Sequence, residues 1–239
     1  MMNQIQVESI SKWEKQPEEY KEACRKIVIS HAINELYGSQ VYDEPAIALA
    51  PNPYAKWLTC RVVMEEYGHH YRFFELGVKM GIPEKQMLPE LTQKSPLSIM
   101  SLNLTTWEEF CVIKMLGDLG EILHVEELTQ CTFHPLRSLA RMTMPEEKFH
   151  SEFGKKFCSE ICKDKGGRKK IQQAVNDIFP HMPAFFGRSK SKNNEIYRKW
   201  GLKNRTNDAV RSDYLVRAQE VVSELDLKLP ELDMSQYDA

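Results

Sequence analysis

The sequence predicts an all-α fold in which four long helices form a bundle and a helical extension follows at the C-terminal end. Apolar residues recur at the three- and four-residue spacing of helices over long segments. Alternation with a period of two, which is typical of half-buried strands, persists nowhere along the 239 residues. Proline and glycine separate the helical segments. We therefore expect a helix bundle over residues 1–165 and a helical extension packed on it over residues 166–239.

Proline and glycine mark the ends of the first two long helices. The first is predicted over residues 17–37, with a proline and two glutamates in its first turn and Gly38 after its end. The second is predicted over residues 53–80, after a loop that carries three prolines. Residues 83–103 are rich in Pro, Ser and Leu, and they are long enough to cross over one end of the bundle.

A capping pair marks the start of the third long helix. A helix is predicted to begin near Thr105 or Thr106, where Thr105 and Glu108 have the spacing of a capping box, and to run to about residue 130. Three shorter helices are predicted in the C-terminal extension, near residues 168–178, 193–200 and 206–225.

The fourth long helix is predicted over residues 135–163 and contains a proline. Pro145 cannot donate a backbone hydrogen bond, so it should kink or restart the helix. Thr143 and Glu146 have the spacing of a second capping pair at this point.

Composition excludes several classes of function. The 32 basic and 34 acidic residues give a net charge of -2, so the chain lacks the positive field that nucleic-acid binding demands. No apolar run approaches the roughly 20 residues that cross a bilayer, and residues 1–11 lack the features of a signal peptide. We expect a cytoplasmic protein that binds neither nucleic acid nor membrane. None of the six cysteines forms a CxxC pair, and all are expected to be reduced.

Each of the four long helices carries carboxylate or histidine side chains within its apolar stripe. The second and fourth helices each place a Glu-x-x-His motif there, and the first and third each place one carboxylate. A third Glu-x-x-His motif, Glu121 and His124, lies on the third helix. The candidate residues on the inward faces are Glu35, Glu66, His69, Asp118, Glu147 and His150.

This pattern indicates a site for two divalent metal ions. Buried carboxylates cost several kcal/mol each unless they are paired, and the sequence shows no matching positive side chains nearby. Two divalent cations would neutralise four carboxylates, and a Glu-x-x-His motif on each of two helices completes the ligand set known from di-metal bundles. Glu121 competes with Asp118 for the position on the third helix, and we rank Asp118 first because its interval to Glu147 matches that from Glu35 to Glu66.

Five segments of the chain also carry a family resemblance. They are His31-Ala-Ile-Asn-Glu35, Glu65-Glu66-Tyr-Gly-His69, Gly117-Asp118, Glu146-Glu147-Lys-Phe-His150 and Trp200-Gly-Leu-Lys-Asn-Arg-Thr-Asn-Asp208. Through these segments the chain resembles the phenylacetic acid catabolic family of ferritin-like proteins, and within it the catalytic oxygenase subunit. The resemblance implies a ferritin-like bundle and the same six ligands. The chain departs from the family pattern at Val62, where the catalytic subunit tends to carry a lysine near the metal site, and at Pro145.

The resemblance implies a reaction and its partners. The reaction is activation of O₂ at a centre of two iron ions, with manganese as the alternative metal, and insertion of one oxygen atom into an aromatic acyl-CoA thioester. The sequence contains no flavin, nicotinamide or iron–sulfur motif, so the electrons are expected from a separate reductase. A homologous scaffold subunit or a homo-oligomer is the expected assembly.

Two rival functions stay open at this point. One is a di-iron oxygenase or oxidase of another small apolar substrate. The other is a non-catalytic ferritin-like subunit.

Overall fold

The computed structural model describes residues 5–88, 100 and 102–237, and its regular structure is helical apart from one isolated bridge between Val7 and Phe133. The ten α-helices of these residues are α1 (Ile10–Trp13), α2 (Glu18–Gly38), α3 (Glu44–Leu49), α4 (Pro53–Lys79), α5 (Trp107–Val112), α6 (Asp118–Leu128), α7 (His134–Ile161), α8 (Lys165–Ile178), α9 (Lys192–Lys199) and α10 (Asn207–Ser223). The described residues between the helices include the π-helical segments Ser39–Asp43 and Ile113–Gly117 and the 3-10 segments Glu84–Gln86 and Phe179–Phe186. A further 3-10 segment, Met234–Tyr237, follows α10.

The fold is an all-α ferritin-like four-helix bundle, as predicted. The four long rods are α2, α4, the pair α5 and α6, and α7. The first two rods pack closely on each other, as do the last two, and the pairs meet through α4 and α7. None of the helices in the described part of the chain is both long and apolar enough to cross a bilayer.

The first rod does not end at Gly38, as the sequence led us to expect. Gly38 keeps right-handed helical backbone angles, and the chain continues through the π-helical segment Ser39–Asp43 into α3. The Glu35 carbonyl accepts both from the Ser39 backbone N–H and from the Ser39 hydroxyl, the latter at 2.7 Å. The predicted loop between the first two rods is therefore mostly helical.

The third rod is capped at Thr106, one of the two residues predicted for its start, but the capping pair differs from the predicted one and the rod is interrupted. The capping box is formed by Thr106 and Glu109, and the Glu109 carboxylate also accepts from Thr105. The π-helical segment Ile113–Gly117 then separates α5 from α6. A π turn inserts one residue into the helical repeat, so the side chains on its two sides face in directions that regular helical spacing does not predict.

The expected restart at Pro145 is wrong, because α7 runs without a break through this position. Pro145 lies on the exposed side of the helix, where solvent can reach the carbonyl of Arg141 that the proline leaves without its helical partner. Thr143 is buried within the helix and caps nothing.

Gly154 on α7 allows the closest approach between two rods. A Cβ atom at this position would lie 2.3 Å from the Met115 nitrogen and 2.6 Å from the Cys111 carbonyl oxygen. Only glycine lets the α7 backbone come this close, and the contact holds the π-helical segment Ile113–Gly117 against α7.

The three helices predicted in the C-terminal extension all form, and their side chains pack on the bundle. The Glu127 carboxylate of α6 accepts hydrogen bonds from the backbone of Asn204 at 2.7 Å and from the Arg205 side chain at 2.6 Å. The Tyr214 hydroxyl of α10 donates to the Leu116 carbonyl at 3.0 Å. The division into units at residue 165 stays a prediction. Of the predicted crossover, residues 89–99 and 101 lie outside the described residues.

Candidate metal centre

The structure brings all six predicted side chains together in the middle of the bundle. Each of them is at most 7% exposed. Their ligand atoms form two groups of four, and within each group the atoms lie within 4.8 Å of one another. The groups are Glu35, Glu66, His69 and Glu147, and Glu66, Asp118, Glu147 and His150. Glu66 and Glu147 belong to both groups, so each of them could contribute ligand atoms to either group.

The first group is centred on the Nδ1 atom of His69. This nitrogen lies 2.9 Å from Oε1 of Glu147, 3.3 Å from Oε2 of Glu66 and 3.7 Å from Oε2 of Glu35. The side chains come from three rods, so only the folded bundle places these atoms around one point.

The second group is centred on Nδ1 of His150. This atom lies 3.0 Å from Oε1 of Glu66, 3.9 Å from Oε2 of Glu147 and 4.0 Å from Oδ2 of Asp118. The two imidazole rings lie side by side, with their centroids 5.6 Å apart. The two groups therefore lie next to each other, with the shared carboxylates between them.

Several of the inward-facing atoms are buried but make no hydrogen bond. Among the described residues, the Nδ1 atoms of His69 and His150 and both carboxylate oxygens of Glu147 have no hydrogen-bond partner of suitable geometry. Oδ2 of Asp118 also makes no such bond, although the Lys114 ammonium lies 2.8 Å away. Buried polar atoms without partners are rare and costly. Imidazole nitrogen and carboxylate oxygen atoms that converge in this way form the donor set of a divalent transition metal, so the residues present fit such ions.

The Nε2 atom on the outer edge of each imidazole ring contacts a glutamate from the opposite helix. Nε2 of His69 lies 2.8 Å from Glu146, which Arg72 binds with two hydrogen bonds of 2.7 and 3.0 Å. Nε2 of His150 in turn lies 2.9 Å from Glu65. A carboxylate behind the ring fixes Nε2 as the protonated nitrogen and directs the Nδ1 lone pair inward. Sequence reasoning gave no role to Glu146 in the site, although the doubled glutamate in both motifs was the available signal.

Lys114 and Asp43 also belong to the cluster, and the sequence reasoning missed both. The buried Lys114 ammonium lies 2.5 Å from Glu66, 2.8 Å from Asp118 and 3.2 Å from Asp43. The expectation that nearby side chains supply no positive charge is therefore wrong. Each of the two missed side chains lies in one of the π-helical segments, Ser39–Asp43 and Ile113–Gly117, where helical periodicity fails.

Burial and neighbouring charges shift the pKa values in this cluster strongly. Burial raises the pKa of Glu66, but the charges of Lys114 and His150 outweigh it and hold the value well below the usual range. Burial lowers the pKa of His150, but Glu66 and Glu65 raise it to about 10. Burial raises the pKa of Asp118 well above its usual range. The polypeptide by itself thus retains protons that bound cations would displace.

Glu121, the competitor of Asp118, lies outside both groups of four. Its carboxylate forms a third cluster with His31 and Glu35, and burial together with the charge of Glu35 raises its pKa well above the usual range. Nδ1 of His31 lies 3.8 Å from Glu35. His124, the partner of Glu121 in the third motif, hydrogen-bonds the Phe185 carbonyl at 3.1 Å instead of facing the centre.

One cavity adjoins the centre, and a second cavity adjoins the first. The first has a volume of about 60 Å³, lies against the carboxylates, and has apolar walls from Tyr42, Met100, Ile113, Met182 and Phe185. The second has a volume of about 230 Å³ and lies between α2, α6 and the C-terminal extension. Both cavities are bordered by Asn34, Glu121 and Phe185, so they are neighbours.

Comparison with known proteins identifies the family of this chain. The family model described as "Phenylacetic acid catabolic protein" matches residues 2–239. The chain belongs to the phenylacetic acid catabolic family. It is also 22% identical over 223 residues to one of the subunits of the 1,2-phenylacetyl-CoA epoxidase of Escherichia coli (strain K12), with 91% of this chain and 72% of that protein covered.

Val62, one turn before Glu66 on α4, is fully buried and apolar. The ammonium group that pairs with Glu66 comes from Lys114 on the third rod instead.

Proposed function

We propose that this protein binds two iron ions and uses O₂ to insert one oxygen atom into an aromatic acyl-CoA thioester. The observation that carries the proposal is the pair of four-residue groups that share Glu66 and Glu147. Each group offers one imidazole nitrogen and three carboxylates, which suits ferrous iron and, as the alternative, manganese. We take Glu35, Glu66, His69, Asp118, Glu147 and His150 as the ligands.

The charge balance of the cluster supports two divalent ions. Its ionised carboxylates would be Glu35, Asp43, Glu66, Asp118 and Glu147, and Lys114 supplies one positive charge. Two divalent cations bring the total to neutrality when the two histidines are neutral ligands. The charges of Asp43 and Lys114 cancel each other, so the number of divalent ions needed for neutrality is two with or without this pair.

The residues of the chain would prepare this centre in three ways. A reduced di-iron pair, when bound, supplies the electrons and the open positions at which O₂ reacts. Glu146 and Glu65 keep His69 and His150 oriented from behind. Lys114 holds Glu66 and Asp118 in fixed positions. The apolar cavity beside the carboxylates keeps bulk water away from the reacting group.

The second cavity supports an acyl-CoA as the substrate. Its walls carry the amide side chains of Asn34, Asn193, Asn194 and Asn207 and the hydroxyl groups of Ser30 and Ser191. These groups suit the two amide bonds in the arm of a CoA thioester, while the aromatic acyl group would enter the apolar cavity. The similarity to part of a phenylacetyl-CoA epoxidase agrees with this assignment. A separate reductase would supply the electrons.

The small size of the first cavity favours a second candidate function. A volume of about 60 Å³ holds only a few water-sized molecules, so an aromatic ring would have to displace Met100 or Met182. An oxygenase or oxidase that acts on a smaller apolar substrate would need no such movement.

Metal content tests the centre directly. The wild-type protein should bind about two iron ions per chain when it is loaded anaerobically with ferrous iron. Glu66→Ala and His150→Ala should both lower the iron content sharply. The matched controls Glu75→Ala and His134→Ala change exposed residues of the same two helices and should keep it. Unchanged iron in both site variants would refute the proposed ligands.

Oxygen consumption tests the substrate. With a supplied reductase, the iron-loaded protein should consume O₂ faster when an aromatic CoA thioester is present than when the free acid is present. Equal rates with the thioester and the acid would favour the second candidate function.

A further inference from the structure

The outward face of α4 carries a regular stripe of large apolar side chains. Among the described residues, five of the nine large hydrophobic side chains that are exposed lie on this one helix: Tyr54, Trp57, Met64, Tyr71 and Val78. The last four follow one another at intervals of seven residues. Met64 is 67% exposed and Trp57 is 63% exposed, so most of the surface of both side chains faces solvent. A seven-residue apolar repeat is the pattern by which one helix packs along another.

Gly68 lies in the middle of this stripe, and the folded chain does not require a glycine there. A Cβ atom at Gly68 would meet only the tip of Arg72 at 3.5 Å, which is an ordinary contact. Glycine within a helix costs about 1 kcal/mol relative to alanine. A gap in the side chains on an exposed helix face does, however, let a second helix come close. The residue therefore points to a surface that is covered by something outside the chain.

The stripe is complementary to itself in the antiparallel direction. If two copies of α4 pack antiparallel with their two-fold axis level with Glu66, Met64 of one copy lies over Gly68 of the other. The same register places Tyr71 opposite Arg61, which allows a cation–π contact, and Val78 opposite Tyr54.

The remaining layer of this register pairs a hydrogen-bond donor with an acceptor. Trp57 lies opposite Glu75, so the indole N–H of one copy faces a carboxylate of the other. Along the stripe, a large side chain thus lies opposite a glycine, a cation opposite an aromatic ring, a hydrogen-bond donor opposite an acceptor, and an apolar side chain opposite an aromatic one. From this complementarity we propose that the outward face of α4 binds a second copy of this chain and forms a symmetric dimer.

The area requires α7 to take part as well. The stripe from Tyr54 to Val78 is about 36 Å long, so a contact one helix wide covers about 360 Å² per copy. A standard interface needs about 800 Å² per partner. On α7, Met142 is 58% exposed, and Phe149 lies beneath Arg61 at 3.8 Å. The same two-fold axis sets α7 against its own counterpart, and a face two helices wide approaches the area of a stable dimer.

Sedimentation of the full chain over a range of concentrations tests the proposal. The wild-type protein should sediment as a dimer of the 27.8 kDa chain. Met64→Glu should weaken the dimer at least tenfold, because the carboxylate would be moved from water into the contact over Gly68, where the nearby Arg72 is already paired with Glu146. Val216→Glu is the matched control: Val216 is 58% exposed on α10, and the substitution should leave the dimer unchanged.

Gly68→Ala separates an interface role from a structural one. Alanine should leave the melting temperature of the monomer unchanged or higher, while it weakens the dimer by obstructing Met64 of the second copy. A wild-type chain that stays monomeric up to roughly 100 µM would overturn the proposal and assign the face to a different protein. A dimer that is equally sensitive to Met64→Glu and Val216→Glu would also overturn it. Far-ultraviolet circular dichroism confirms that each variant is folded.

Discussion

Replacing Lys114 by methionine removes the ammonium group that the structure places among the buried carboxylates of the centre. Lys114 is 2% exposed and lies within 3.2 Å of Glu66, Asp118 and Asp43. Methionine keeps most of the volume, so the change is mainly electrostatic. Removing one partner of a buried ion pair costs about 3–5 kcal/mol, because the remaining charges stay buried without compensation.

Thermal unfolding of the metal-free protein measures this cost. For a chain of this size 1 kcal/mol corresponds to about 2–4 °C, so Lys114→Met should lower the melting temperature by roughly 6–20 °C. Lys170→Met is the matched control, since Lys170 is 69% exposed and pairs with Glu108 at the surface. A surface pair contributes at most about 1 kcal/mol.

A double-mutant cycle keeps the prediction testable if the single variant is too unstable to study. Asp43→Asn removes one of the carboxylates that Lys114 neutralises, so the Lys114→Met/Asp43→Asn double variant should be less destabilised than the two separate losses predict. Strict additivity, or a loss for Lys114→Met no larger than that for Lys170→Met, would refute the electrostatic role of Lys114.

Two further predictions concern the contacts that hold the site in place. Burial raises the pKa of Glu127, but hydrogen bonds from Arg205 and the adjacent backbone outweigh it and hold the value below the usual range. The stability that this carboxylate contributes is therefore present above about pH 4.5 and lost as the pH falls below it. Glu127→Gln should lower the free energy of unfolding by about 1.5–3 kcal/mol at pH 7. In urea titrations at a series of pH values, the variant should lose less stability than the wild type as the pH falls below about 4.5. Gly154→Ala should destabilise the fold by about 1–3 kcal/mol or more, since its Cβ would lie 2.3 Å from the Met115 nitrogen. Gly38→Ala, whose Cβ meets a flexible methionine at 3.8 Å, is the control, and equal melting temperatures for the two alanine variants would contradict this account.

The sequence determined the features that follow from helical periodicity. The four long rods, the three helices of the extension and the inward direction of Glu66, His69, Glu147 and His150 all depend on a repeat of 3.6 residues, which neighbours along the chain define. Asp118 was preferred to Glu121 because similar intervals along two hairpins give similar heights, and the structure places Asp118 in one of the two groups of four.

Tertiary structure alone decided the features in which the periodicity changes or a partner comes from a distant segment. Lys114 and Asp43 reach the centre because π-helical turns change the directions of their side chains. No local pattern in the sequence predicts such a turn. Pro145 stays within a continuous helix because its face is exposed to solvent. Glu65 and Glu146 gain their contacts from histidines of the opposite helix, more than 75 residues away along the chain. Helical spacing fixes the direction of a side chain along its own rod, whereas the packing of rods fixes which charges meet.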